Sequence, residues 1–238
     1  MRALCSVTKR FFAQIWSDVM LAALIFVPLV MGVVFRFGVP ALESFLCRRF
    51  EAGAILAPYY PVFDLLLAVM TPLMFTAAGA MVILDEVDAG ITRAIAVTPV
   101  GRRGYLASRI GVPALFSTVY CAGVLAVFKL SALGTARVLL LALCCGTLGI
   151  VVALLIAANA KNKVEGMALS KLSGLFVLGL PAALLVPAPF KYLAGILPTF
   201  WTTELAMGGS LLHVIPALAS SALWAAFFAR RFSKKILG

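Results

Sequence analysis

Six runs of apolar residues, at about 19–35, 62–84, 110–128, 138–158, 166–187 and 211–229, divide this chain, and its polar positions collect between them. At 1.5 Å per residue most of them are long enough to cross about 30 Å of hydrocarbon. The pattern therefore predicts an all-α membrane protein with six transmembrane helices, one domain over residues 1–238. The first run is short and the fifth contains Pro181, which predicts tilt or a kink.

The segments between the runs are not all alike. Residues 1–18 are basic and then amphipathic. Phe11, Phe12, Ile15, Trp16 and Val19 share one helical face, with Lys9, Arg10 and Gln14 on the other. That predicts a helix lying in the headgroup plane with Trp16 at the interface. A signal peptide would also start basic, but no A-x-A-like site follows and further spans do, so cleavage is not expected. Residues 36–61 read as a solvated loop, with Pro58-Tyr59-Tyr60-Pro61 as an interface anchor. Residues 188–210 are too apolar for a free loop and too broken to span. They predict short helices on or dipping into the bilayer, a backbone that survives only when buried in protein or lining a cavity. That makes the segment a candidate gate on the exit path, with Pro198, Phe200, Trp201 and Glu204 as its residues.

Composition narrows the class. The 238 residues are 63% hydrophobic and 12% charged, against about 45–50% and 25% in soluble domains, so lipid must solvate much of the chain. A net charge of +11 would in a soluble protein point to nucleic acid; here it reflects Lys and Arg between spans. With both termini cytoplasmic, the inner side holds Arg2, Lys9, Arg10, Arg93, Arg102, Arg103, Arg109, Lys161, Lys163, Lys171, Arg230, Arg231, Lys234 and Lys235. The outer side holds only Arg36, Arg48, Arg49, Lys129, Arg137 and Lys191. That bias predicts the termini and residues 85–109 inside, and 36–61 and 188–210 outside. Cys5, Cys47, Cys121, Cys144 and Cys145 form no CxxC or Cys/His motif and read as apolar filler, with no metal site.

The spans themselves carry little chemistry. Asp64 falls near the outer end of the second run, Glu165 and Lys171 at the start of the fifth, and His213 at the start of the last; each reads as an interfacial polar residue. A proton- or sodium-coupled carrier needs carboxylates or a histidine at depth, or an unwound polar site. No G-x-x-x-x-G-K-[ST] occurs, so ATP is not bound by a P-loop of this chain. Energy for uphill transport would have to come from another subunit. Gly146, Gly149, Gly174 and Gly179 predict close helix packing, within one chain or between two. A lipid-modifying enzyme would need facing acidic or His/Asp clusters. Asp85, Glu86 and Asp88 could hold a divalent ion, but no second cluster faces them.

One polar break has a helix pattern of its own. Asp88 is a candidate N-cap, Ile91, Ala94, Ile95 and Thr98 repeat at i, i+3, i+4 and i+7, and Pro99 stops the helix. Gly101-Arg102-Arg103-Gly104 then turns the chain toward the third span. The pattern alone leaves open whether this interfacial helix has a partner.

The residues Glu86, Asp88, Gly90, Ile95, Thr98, Pro99, Val100, Tyr105 and Leu106 resemble the membrane subunit of ABC-2 type ABC transporters, and Ala96-Val97-Thr98-Pro99 with Gly104-Tyr105-Leu106 is similar to drug-export permeases of the fluoroquinolone-exporter kind. Leu197-Pro198-Thr199-Phe200-Trp201 resembles that family's motif before the last span. Many members have Thr-Leu-Glu after the glycine where this chain has Ile91-Thr92-Arg93, a basic residue in place of an acidic one. The resemblance implies a cytoplasmic coupling helix at about 88–98, between spans 2 and 3, seated in a separate ATP-binding subunit. Glu86, Asp88, Gly90, Ile91, Ile95, Thr98 and Pro99 are its coupling residues. It also implies a second permease chain, identical or related, a bacterial-type plasma membrane, and ATP and Mg on the partner with no cofactor on this chain. The expected role is an exporter subunit for a hydrophobic or amphipathic substrate such as a drug or lipid, without catalytic residues. A lipid-modifying enzyme or a secondary carrier is the alternative.

Overall fold

A computed structural model describes residues 19–51, 53–89 and 107–237. The interfacial helix expected at 1–18 and residues 90–106 of the expected coupling segment lie outside the described residues. Those that are described form helices and short connections, with no strand among them. In lipid that is the economical solution, because a helix satisfies its backbone N–H and C=O groups internally.

In chain order the elements are α1 (Val19–Val33), a π-helical turn (Val34–Gly38), α2 (Val39–Phe50), a 3-10 turn (Ala57–Tyr59), α3 (Tyr60–Asp88), a π-helical turn (Ala107–Gly111), α4 (Val112–Phe128) and α5 (Thr135–Asn159). Then come α6 (Lys163–Leu172), a 3-10 stretch (Ser173–Leu178), α7 (Gly179–Leu185), a 3-10 stretch (Phe190–Ile196), α8 (Pro198–Ala206), a 3-10 turn (Leu211–His213) and α9 (Val214–Leu237). Six helical stretches are long and apolar enough to cross a membrane: Ile25–Phe50, Ala57–Asp88, Arg109–Phe128, Thr135–Asn159, Lys163–Leu185 and Leu211–Ser233.

The core lies between α3 and α5. Their apolar windows are 78% and 67% buried, against 17% for the first span and 22% for the fifth and sixth. Leu65, Leu67, Ile83 and Leu84 of α3 and Leu141 and Leu148 of α5 are fully buried. Two glycines of α5 set its distances to its neighbours. A Cβ on Gly146 would fall 1.9 Å from Thr118 Oγ1 of α4, and one on Gly149 2.9 Å from Thr76 Cγ2 of α3. Close approach of backbones is what packs helices where lipid offers no hydrophobic drive between them. Gly174, expected to do the same, faces open space.

Prolines leave marks that neighbours repair. Pro72 has no N–H for the carbonyl of Ala68 one turn back. The buried Cys121 thiol, read from sequence as filler, reaches that oxygen at 3.3 Å from α4. In the fifth span the α-helix gives way to 3-10 geometry over Ser173–Leu178, the turn before Pro181, because the proline ring crowds the carbonyl of Val177.

The first span runs further than its apolar run. Where a loop is expected from residue 36, the π-helical turn carries the helix through to Phe50. Its charged residues serve neighbouring backbone: Arg36 Nη1 donates to Lys129 O at 2.9 Å, and Glu43 accepts from Ile55 N at 2.9 Å and Leu56 N at 2.5 Å. Asp64 also differs from the expectation of an interfacial residue. It is 1% exposed and accepts from Leu130 N at 2.7 Å, Ser131 N at 2.8 Å and the Ser131 hydroxyl. A carboxylate is tolerated there because it satisfies the donors of the α4–α5 loop.

Candidate functional site

At the Asp85 end of the bundle, α3 runs beyond its apolar stretch and carries three acidic residues to three different surroundings. Asp88 is exposed. Asp85 pairs with Lys163 Nζ of α6 at 3.2 Å, both partly exposed. Glu86 turns inward. It is 5% exposed and meets Arg109, 6% exposed, through Nε to Oε2 at 3.0 Å and a second, short contact from Nη2 to Oε1. Two parallel N–H to oxygen contacts match the planar guanidinium to the planar carboxylate.

This pair closes a loop. Glu86 ends the second span and Arg109 opens the third, so their contact fixes both stems of the intervening segment. Lys163 brings the fifth span to the same place. Its helix is well started: Asn162 Oδ1 accepts from Glu165 N at 2.9 Å, and Glu165 Oε2 accepts from Lys161 N at 2.8 Å. The first contact satisfies a donor that a helix start leaves open, and the second ties the preceding residue to the first turn. Of the residues assigned to coupling by resemblance, Glu86 and Asp88 are described and point differently; Gly90, Ile91, Ile95, Thr98 and Pro99 lie outside the described residues. Among the described residues no group of three His, Cys, Asp or Glu side chains is placed to hold a metal ion.

At the opposite end, residues 188–213 fold back on the bundle. Pro198 starts α8, whose Phe200 is fully buried, with Trp201 edge-on at 5.0 Å and Tyr192 at 6.0 Å. Trp201 Nε1 donates to Gly195 O at 2.7 Å, and its ring stacks on His213 at 6.0 Å. Glu204 receives Lys191 Nζ at 2.6 Å. That hydrogen bond, opposed by partial desolvation and helped by the carboxylate's charge, raises the Lys191 pKa above its ordinary value. Arg137 at the start of α5 donates to Gly208 O at 3.2 Å and Gly209 O at 3.1 Å.

The segment is fastened to the fifth span. Thr199 Oγ1 donates to the carbonyl of Phe176, inside the 3-10 stretch. Beside it, a Cβ on Gly179 would lie 2.5 Å from Phe200 N, so only glycine lets α7 and α8 come this close. Trp224 of α9 adds an edge-on contact to Phe176 at 5.4 Å and donates to Ile196 O at 3.0 Å. Pro198, Phe200, Trp201 and Glu204 therefore belong to one helix with separate anchors. Gly179 packs closely, as expected of it from the sequence; Arg109 and Lys163, which complete the other end, were read only as loop charges. The one visible signal was a charge at each edge of the polar break.

Six apolar helices of membrane length, packed around α3 and α5 with ion pairs at the two ends, define a multi-pass helical membrane protein. Residues 11–230 match the family described as fluoroquinolones export permease protein Rv2686c-like, and the chain belongs to that family. Among its relatives are the fluoroquinolones export permease protein Rv2686c of Mycobacterium tuberculosis (strain ATCC 25618 / H37Rv) and fluoroquinolones export permease protein MT2760 of strain CDC 1551 / Oshkosh. Each is 28% identical over 211 residues, covering 85% of this chain and 81% of the relative. No solved structure matches the chain.

Proposed function

We propose that this chain is the membrane subunit of an ATP-driven exporter of the ABC-2 type, coupled to a separate cytoplasmic ATP-binding subunit through residues 88–98. The observation that carries the reading is the buried Glu86–Arg109 pair. A segment pushed by a soluble motor must pass its displacement to the spans, and a stem fixed by a buried bidentate pair transmits force where a slack loop would absorb it. The Asp85–Lys163 contact extends the same linkage to the fifth span. Membership of an export permease family supports the direction of transport.

In this reading both termini are cytoplasmic, ATP and Mg sit on the partner, and two permease chains, identical or related, flank the path. The substrate is hydrophobic or amphipathic, as the apolar spans and the names of the relatives favour. Closure of the ATP-binding subunits moves the 88–98 segments, and the spans switch between inward and outward access. Inverting a two-state population from 1:99 to 99:1 takes about 5.5 kcal/mol of differential affinity.

The test is affinity purification of the full chain from its native membrane, with mass spectrometry and an ATPase assay on what co-elutes. A co-eluting P-loop protein, lost with Ile95→Asp while the permease stays in the membrane, supports the reading. A chain that purifies alone and without ATPase activity overturns it.

A further inference from the structure

A cavity of about 480 Å³ opens between α3 and the fifth span, from the middle of α3 toward its Asp85 end. On α3 it is lined by Met70, Met74, Ala77 and Met81, and across from them by Met167 and Lys171. That volume falls in the range of small-molecule sites, about 300–1,000 Å³. Its chemistry is unusual in two ways.

Four of the chain's eight methionines meet here. Unbranched thioethers are flexible and polarisable, fit irregular apolar shapes and make favourable contacts with aromatic rings. The second feature is Lys171. It is the one charged side chain lining the cavity, and among the described residues it forms no ion pair. The hydroxyls nearby are committed to backbone: Ser170 Oγ donates to Met167 O at 2.7 Å and Ser173 Oγ to Ser170 O at 2.5 Å. A ligand's polar group would therefore find a cation.

The two walls differ in rigidity. The α3 wall belongs to the most buried helix of the bundle, while the fifth span is 22% buried in its window and changes from α to 3-10 geometry at Ser173, on the cavity's edge. A 3-10 stretch inside a longer helix often marks a hinge. Below it, Gly166 seats α6 tightly on α3, since a Cβ there would lie 2.4 Å from Leu84 Cδ1. Above it, Thr199 and Gly179 fasten the span to α8. The stretch between these two attachments is thus the part that faces the cavity.

We infer that this cavity is a binding site for an aromatic amphiphile bearing a negative charge, its rings among Met70, Met74, Met81 and Met167 and its anionic group on Lys171. The inference rests on the export reading for its physiological meaning, but binding itself needs neither a partner nor ATP.

The probe is dansylglycine, a fluorescent aromatic carboxylate, with neutral dansylglycinamide as control, titrated onto the full chain in nanodiscs of zwitterionic lipid with empty nanodiscs as baseline. Saturable binding of the carboxylate is expected, about tenfold tighter than the amide, the order of one charge-assisted hydrogen bond. Lys171→Gln removes that preference and Lys171→Arg keeps it. Ala77→Phe fills the cavity and weakens both probes at least tenfold. Equal binding of the two probes, or no effect of Lys171→Gln, overturns the charge assignment. Unchanged binding in Ala77→Phe overturns the site. ATP-driven probe export in vesicles, without cavity-dependent binding, refutes the site and leaves the export reading standing; binding without ATP-driven export does the reverse.

Discussion

Glu86 and Arg109 lie 23 positions apart in sequence, yet their side chains meet as a buried pair at the mouth of the segment between them. Each charge sits at the edge of a hydrophobic span, where an unpaired ion is costly. Removing one partner takes the bidentate contact from a charge that stays buried. Glu86→Ala or Arg109→Ala should each destabilise the chain by about 3–5 kcal/mol, whereas the apolar pair Glu86→Leu with Arg109→Met should cost much less. Thermal unfolding of the purified chain in one detergent checks this. Equal losses in the single and double variants would mean that the cost lies in losing the ion pair itself and not in separating one buried charge from the other.

Asp64 makes a similar point at the other end. Its carboxylate takes the backbone donors of Leu130 and Ser131. Asp64→Ala leaves those amides without their partner, at about 1–3 kcal/mol. Hydrogen exchange should accelerate at Leu130 and Ser131 in that variant and stay unchanged at the α5 amides of Leu148 and Val151. Uniform acceleration would show global loosening instead.

The contact between α7 and α8 depends on Gly179. A methyl at that position meets the Phe200 backbone, which cannot move aside as a flexible side chain would. Gly179→Ala should lift α8 off the fifth span and expose the Phe200 amide to exchange. Gly174→Ala, whose Cβ meets nothing within 4 Å, should leave the segment protected. The two alanines differ only in place, so similar behaviour would refute the packing argument.

The Lys191–Glu204 contact predicts a pH response with a definite sign. The hydrogen bond to Glu204 raises the lysine's pKa in the folded chain. A raised pKa contributes stability that is fully present below the unfolded value and is lost as pH rises through the folded one. Protection of residues 190–206 should therefore be flat through neutral pH and fall only in the alkaline range of a lysine. Glu204→Gln should lower that alkaline threshold. A transition near pH 6–8 would assign the response to another group.

The fold class was legible because its signal is additive. Long apolar runs need no long-range contact to declare themselves, and each run corresponds to one of the six membrane-length helices. Their limits were less legible, since polar residues that end a run by composition need not end a helix. Arg36 and Glu43 remain helical because backbone from other segments receives them. The fifth span's break was readable from Pro181, while its extension to Ser173–Leu178 depended on how the preceding turn could repack.

By itself, the sequence determined that lipid is the solvent, that six helices meet it, and where charge is excluded; these follow from the summed transfer energy of side chains along each run. Only the tertiary structure decided which partner each buried or half-buried carboxylate meets. Glu86 with Arg109, Asp85 with Lys163 and Asp64 with the loop at 130–131 are partners 23, 78 and about 66 positions apart. No local pattern links such residues. Their pairing depends on helix order, on the glycines of α5 that set helix spacing, and on the low dielectric that makes an unpaired charge too costly to leave in place.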